Sequence, residues 1–282
     1  MKIFLTGATG FIGSAVLTKL REAGHQVTAI VRSQEASLKV ERAGAVGIIG
    51  DLFDPAWIAA ELATHDAVIH TAAGGDQSDR DMNAALIDAA VNVLGGTDKP
   101  VVLTGGVWAH GSGDDLSESD ELDPPELVAW RVDGERRLLE SDVRATVIRP
   151  GIAYGHGGGI PALLTAQAAQ DGPAPLFGTG QQHWTTVHVD DLADLYVAAL
   201  GGRGGEAYLG VNGDNPTVLE LAEALDTDIE PEGDEATRAR LGAFGEALLL
   251  DQQATGAKAR QQLGWTPTQP TLVEELGASY RA

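Results

Sequence analysis

Near the start of the chain, Thr6-Gly7-Ala8-Thr9-Gly10-Phe11-Ile12-Gly13 forms a glycine-spaced octet. Apolar Ile3-Phe4-Leu5 precedes it, and Ala15, Val16, Leu17 and Leu20 follow at helical spacing. A strand, a glycine-rich turn and a helix in that order build the phosphate site of a dinucleotide fold. Gly7 suits a tight turn at positive φ. Gly10 lacks a Cβ, so backbone amides can approach a pyrophosphate, and Gly13 lets the helix pack closely on the strand. Ala8, Thr9, Phe11 and Ile12 complete the turn. The pyrophosphate would meet unpaired N–H groups and the positive end of the helix dipole. A second chemical position is Arg32-Ser33, 19 residues after Gly13. It ends the apolar run 26–31, where such a fold meets the adenosine ribose. An acidic residue there binds the 2′-hydroxyl of NAD. Arg32 instead offers a fork of donors suited to a phosphate, and Ser33 adds a hydroxyl. The expected cofactor is therefore NADPH/NADP, in preference to NAD.

Positioning these residues takes an alternating scaffold. Residues 26–31, 45–49, 66–70, 101–104 and 145–149 read as strands that follow the first one. Helical patterns at 34–43, 55–63, 79–94 and 124–141 lie between them. This alternation predicts an α/β, doubly wound parallel sheet with right-handed crossovers, covered on both faces. Asp51 and Leu52 follow the third strand, where a side chain could cap the adenine. Thr71-Ala72-Ala73 follows the fourth, where small residues permit close backbone approach. After residue 150 the texture changes. Glycine-rich loops at 155–159 and 172–175 separate short elements, with strands at 185–189 and 208–211. Helices are expected at 190–200, 217–225, 237–250, 257–263 and 272–280, and residues 226–235 are acidic. The expected layout is a dinucleotide-binding core over 1–150. Residues 151–282 are expected mainly as a smaller C-terminal substrate lobe, with some segments returning to the core.

Composition narrows the function. Against 41 acidic residues there are 19 basic ones, a net charge of −22. Such a surface repels phosphate backbones and anionic lipid, which argues against nucleic acid and membrane as partners. The chain has no Cys, so thiolate chemistry, disulfides and Cys-based metal sites are excluded. No metal site is expected. No apolar run approaches the ~20 residues of a membrane span. The N-terminus lacks the layout of a signal peptide, and a cytoplasmic location is expected.

Six motifs in order resemble the extended and atypical short-chain dehydrogenase/reductase superfamily. They are Thr6-Gly7-x-x-Gly10-x-x-Gly13, Gly50-Asp51-Leu52, Val68-Ile69-His70-Thr71-Ala72-Ala73, Ile148-Arg149-Pro150-Gly151-Ile152-Ala153-Tyr154-Gly155, Val187-His188-Val189-Asp190-Asp191-Leu192-Ala193 and Leu263-Gly264-Trp265-Thr266-Pro267. The resemblance implies a Rossmann core and NAD(P)-dependent chemistry on a small molecule. It places Pro150, Gly151 and Ile152 beside the nicotinamide, and Thr71, Ala72 and Ala73 along the pyrophosphate and ribose. It also implies a monomer or homodimer, since the family often pairs through the helices that here run near 79–94 and 124–141.

The departure from the family concerns the proton. Its members carry a Ser/Thr, a Tyr and a Lys four residues after that Tyr. Here the four Tyr stand at 154, 196, 208 and 280, and none has a Lys four residues on. Counting back from Glu135, which resembles the Glu after the family's Lys, puts Arg131 at the Lys position and Leu127 at the Tyr position. Leu127 cannot donate a proton, so no catalytic Tyr is expected. Arg131 either hydrogen-bonds the cofactor ribose or is a solvated helix charge. Thr104 is the candidate hydroxyl after the fifth strand, beside the cofactor. His110 is the nearest candidate acid, and His183 and His188 lie further on. Gly106, Trp108, His110, Tyr154 and Trp184 are candidate substrate contacts, although a Trp equally serves as core and the Tyr154 hydroxyl as a structural tie.

Hydride transfer depends mainly on positioning, whereas the proton contributes ~10²–10⁴-fold. An NADPH-dependent ketoreductase can thus work without the Tyr if substrate or water supplies the proton. A ketone beside a phenol suits this, as in the ketoreductases of antibiotic tailoring that the chain resembles. The expected partner is a small aromatic, polyketide-type ketone. The rivals are a sugar-nucleotide epimerase or dehydratase, which needs an enzymic acid and base, and an NADP-binding protein without turnover.

Overall fold

The computed structural model describes residues 1–168, 174–225 and 229–278. Residues 172–173 of the expected loop, 226–228 of the acidic stretch and the last helical residues with Tyr280 lie outside the described residues. Seven strands form the central sheet: β1 (Lys2–Thr6), β2 (Gln26–Val31), β3 (Val46–Ile49), β4 (Ala67–His70), β5 (Pro100–Thr104), β6 (Arg144–Pro150) and β7 (Glu206–Gly210). Their order is β7-β6-β5-β4-β1-β2-β3, and every pair is parallel. The chain winds one way from β1 to β3 and the other way from β4, so its switch point lies between β1 and β4. In open parallel sheets, ligands bind in the crevice at the carboxyl ends of the strands flanking that point.

Alternation within each strand feeds two apolar layers. On β1, Ile3 and Leu5 pack with Val16, Leu17 and Leu20 of α1 (Phe11–Glu22). Phe4 turns to the opposite layer, with Ile58 and Leu62 of α3 (Pro55–Thr64) and Leu94 of α4 (Ser78–Leu94). The helices α2 (Gln34–Arg42) and α5 (Glu126–Leu139) complete the covering of the core.

The later part of the chain is divided between core and lobe. The stretch expected as a short strand at 208–211 is β7, which extends the central sheet beside β6. The helix Val189–Ala199 packs against α1, with Leu192, Leu195 and Tyr196 in the first layer. A separate apolar cluster of Tyr154, Phe177, Trp184, Leu221, Leu248 and Leu276 builds the lobe. Strand Ile152–Gly155 pairs there with Thr186–His188. The helix expected over 237–250 is two helices, Asp234–Leu241 and Ala243–Leu248, broken at Gly242 with φ +58°. The short strand Gly113–Leu116, which pairs with Gln252–Ala254, carries no apolar alternation and is invisible in the pattern. Among the described residues, no helix is long and apolar enough to cross a membrane.

Candidate cofactor and active site

The glycine octet is the turn from β1 into α1. Gly7 holds φ +74°, and a Cβ there would sit 2.5 Å from the Thr71 carbonyl carbon. A Cβ on Gly13 would lie 2.0 Å from the Gly7 carbonyl oxygen, so these two glycines are required by the fold itself. Gly10 differs: its Cβ would meet only the Gly7 oxygen, at 3.3 Å, and otherwise faces open space. Gly10 is the N-cap of α1, with no side-chain cap and no acidic residue in the first turn. The neighbouring helices are served differently. Ser33 Oγ accepts from the Ala36 N–H at the start of α2, and Asp54 accepts from Ala56 and Trp57 at the start of α3. The Gly10 N–H closes the turn by donating to the Gly7 carbonyl at 2.9 Å, which leaves the N–H groups of Phe11 and Ile12 for an external anion. Ala8 is buried beneath the turn, and Thr9 is exposed on it.

The strand ends beside this turn are tied together by side chains. Thr6 Oγ1 lies 2.7 Å from His70 Nδ1 and accepts from the Ala72 N–H at 3.2 Å. Thr71 donates its hydroxyl to the Thr6 carbonyl at 2.7 Å. These bonds hold Thr71-Ala72-Ala73 against the glycine turn. Just past the end of β2, Arg32 is exposed, and the Ser33 oxygen caps α2. Asp51 is exposed and accepts from the Phe53 N–H at 2.9 Å, with Leu52 half-buried beside it.

On the far side of the switch point, Thr104 donates to the His70 carbonyl at 2.7 Å and stands 2.6 Å from the Tyr196 hydroxyl. Its one proton is committed to a carbonyl, so Thr104 holds two strand ends together and has no proton to give. Gly106 beyond it faces open space. Arg131 on α5 reaches the Thr104 carbonyl at 3.5 Å, its guanidinium stacked 4.4 Å over the Trp130 ring. Arg131 is half-buried, and burial lowers its proton affinity, opposed by Asp79 and Glu135. Asn83, Thr104, Trp130, Arg131 and Glu135 help to line a cavity of about 380 Å³ between α4 and α5. Pro150 ends β6. The next residue, Gly151, has no room for a Cβ, which would lie 2.5 Å from the Thr185 oxygen, and Ile152 N–H donates to that same oxygen at 2.8 Å.

Three expected contacts take structural positions instead. His110 is 3% exposed, and its Nε2 accepts from Arg149 Nη1 at 3.1 Å. Arg149 in turn donates to Glu135 Oε2 at 2.9 Å. Burial, helped by the Arg149 charge, holds the His110 ring down to about 4. A neutral ring accepting from an arginine is badly placed to protonate a substrate. Tyr154 is fully buried and donates to the Pro270 carbonyl at 2.7 Å. Trp184 is 2% exposed in the lobe core, stacked on Phe177, with its indole N–H on the Leu248 carbonyl. Trp108 is half-buried and meets Phe244 of the lobe edge-on at 6.0 Å, packed against the lobe's apolar cluster. His183 pairs with Asp251 at 2.8 Å.

The buried trio Glu135, Arg149 and His110 was not foreseen, nor was His70 bonded to Thr6 beside the glycine turn. An Arg inside the apolar strand Ala145-Thr146-Val147-Ile148-Arg149 was the available signal, since such a charge must be paired. The two histidines give a pH prediction. Burial also holds His70 down to about 4, with the Arg131 charge acting in the same direction. Both rings bind a proton near pH 6.5 only after unfolding, so the unfolded state carries more protons between about 4 and 6.5. Stability then falls as pH drops through that window, at up to ~1.4 kcal/mol per pH unit for each ring. Urea midpoints measured from pH 7 to pH 4 should show this slope, and His70→Asn should reduce it.

A family model described as NAD(P)H-binding matches residues 7–201. The chain is 33% identical to an uncharacterized protein of Schizosaccharomyces pombe, over 99% of each. It is 30% identical to the 2-alkyl-3-oxoalkanoate reductase of Stenotrophomonas maltophilia, covering 88% of this chain and 83% of that protein. The solved UDP-glucose 4-epimerase of Thermotoga maritima superposes with a TM-score of 0.76 at 20% identity, over 99% of this chain and 97% of that one. At that identity the likeness is one of fold.

Proposed function

The chain belongs to the NAD(P)H-binding family, and on that footing we propose that it is an NADPH-dependent ketoreductase acting on an aromatic, polyketide-type ketone. The relatives support an NAD(P)-dependent oxidoreductase, among them a reductase whose name carries an oxo group. The observation that carries the finer reading is that, among the described residues, every tyrosine hydroxyl is already engaged within the protein. Tyr154 OH is held by Pro270, Tyr196 OH by Thr104 and Tyr208 OH by Gln262, and the Tyr position of the family is the aliphatic Leu127. A phenol adjoining the ketone supplies the missing proton from the substrate. In this reading Gly7 to Ile12, Thr71 to Ala73 and Pro150 to Ile152 hold the cofactor. Arg131 holds its ribose or the carbonyl, and Gly106 and Trp108 border the ketone. An epimerase or dehydratase would need an acid and base that these positions lack.

The test is a series of variants. Tyr154→Phe, Tyr196→Phe and Tyr208→Phe should each leave kcat within about tenfold, below the ~10²–10⁴ expected for a general acid. Methylating the phenol next to the ketone should slow reduction strongly. A loss of a hundred-fold or more in one folded Tyr→Phe variant would return the enzyme to ordinary acid catalysis.

The cofactor preference has its own expected outcome. A charge-assisted contact from Arg32 to the 2′-phosphate contributes ~1.5–3 kcal/mol, so NADPH should bind roughly ten- to a hundred-fold more tightly than NADH. Calorimetry on the native chain and on Arg32→Ala should show the gap narrowing. Equal dissociation constants in the native protein would contradict the assignment.

A further inference from the structure

The loop 155–159 is not used in the reading above, yet its backbone is unusual. His156 has φ +53°, the only positive φ at a non-glycine among the described residues, and positive-φ Gly155 and Gly157 flank it. Such a conformation costs free energy and persists where surrounding contacts hold it. What it achieves here is placement: His156 Nε2 lies 3.1 and 3.0 Å from the two carboxylate oxygens of Asp190. His188, buried at the end of strand Thr186–His188, has its ring centre 5.4 Å from that of His156. Its Nδ1 lies 3.9 Å from Asp190 Oδ2, and its Nε2 lies 3.4 Å from Glu275 Oε2.

We propose that His156, His188 and Asp190 form a binding site for a divalent cation of the zinc class. One ligand atom from each lies within 4.8 Å of the others. A tetrahedral zinc ion with bonds of about 2.1 Å sets its ligand atoms about 3.4 Å apart, so closure takes sub-ångström movements. Two imidazoles and one carboxylate suit zinc, cobalt or nickel, whereas magnesium and calcium favour all-oxygen sets. The His188–Glu275 contact matches the arrangement in which a ligating His donates its other ring N–H to a carboxylate, fixing ring and tautomer. His156 and His188 face an open depression of about 710 Å³, leaving access for water at the fourth position. The His188 Nδ1 lone pair now accepts from the Asp190 N–H at 3.1 Å, and the ion takes that lone pair over. Asp190 and Asp191 in its first turn offset the positive end of the helix that begins at Val189.

The location gives the site a consequence. Gly158 and Gly159 pack so closely on Phe11 that a Cβ on them would approach its ring to 2.6 and 3.1 Å. An ion tying His156 to His188 fixes the loop that presses on the first turn of α1, beside the pyrophosphate cradle.

The experiment is zinc titration of the full chain by calorimetry, with magnesium as the control, on the native protein, His156→Gly and Asp190→Asn. Glycine tolerates φ +53°, so the first variant folds, and Asn keeps the shape of Asp190. The native chain should bind one zinc equivalent, not displaced by magnesium, and both variants, each lacking a direct ligand, should show no saturation over the same zinc range. Zinc should also raise the thermal midpoint of the native protein and of neither variant. Cobalt(II) should give the d–d absorption of a tetrahedral site. Absence of saturable zinc binding, or binding unchanged in both variants, would overturn the proposal.

Discussion

Gly10→Val yields a folded protein whose affinity for NAD(P)H has dropped at least about a hundred-fold, a loss of ~2.7 kcal/mol. The argument is local. Of the three glycines in the octet, Gly7 and Gly13 face protein backbone at 2.5 and 2.0 Å, and side chains there would break the turn. Gly10 touches only the Gly7 oxygen, at 3.3 Å, which a shift of a few tenths of an ångström relieves. Its remaining surroundings are the open space over the uncapped N-terminus of α1, and two valine methyls would fill it. The same methyls would keep a pyrophosphate from the N–H groups that receive it. Circular dichroism checks the fold and calorimetry the binding. Unchanged affinity would mean that the octet is a turn without a ligand.

Arg149→Leu costs about 3–5 kcal/mol of stability, because it strands a buried carboxylate. Glu135 is 2% exposed, and its Oε2 is paired with Arg149 while its Oε1 has no partner among the described residues. Burial raises the proton affinity of Glu135 and the Arg149 charge opposes it, so removing Arg149 leaves burial unopposed. The variant therefore favours a neutral Glu135 at pH 7, and its loss of stability shrinks as pH falls and the carboxyl takes up its proton. Arg149→Leu combined with Glu135→Gln should recover much of the loss. Urea unfolding at two pH values measures all three. A single-variant loss below about 1 kcal/mol would show that solvent or another group compensates Glu135.

The parts legible in the sequence were those with a short-range signature. The octet announced its turn through glycine spacing, and β1 to β6 through apolar runs separated by helical periods. The Tyr-to-Leu127 departure was readable because a motif fixes its own register. What could not be read depended on contacts far along the chain. Nothing local tells that Tyr196 meets Thr104 across 92 positions or that Tyr154 is tied to Pro270 across 116. Trp184 was ambiguous for the same reason: an isolated Trp has the same local pattern in a core as in a binding wall. His156 and His188 come together only because strand Ile152–Gly155 pairs in parallel with Thr186–His188. The sequence shows a short strand near 208–211 but not that it is the edge strand β7, because its five residues carry no mark of which sheet they join.

The account's central claim is hydride transfer from NADPH to a ketone without a tyrosine acid. Its most direct test uses NADPH deuterated at the transferring carbon, incubated with the native chain and a hydroxyaryl ketone, with mass spectrometry of the product. The account predicts an alcohol carrying one deuterium at the former carbonyl carbon, formed in step with NADPH oxidation. No deuterium transfer to any such ketone, or interconversion of a sugar nucleotide without net cofactor oxidation, would contradict it.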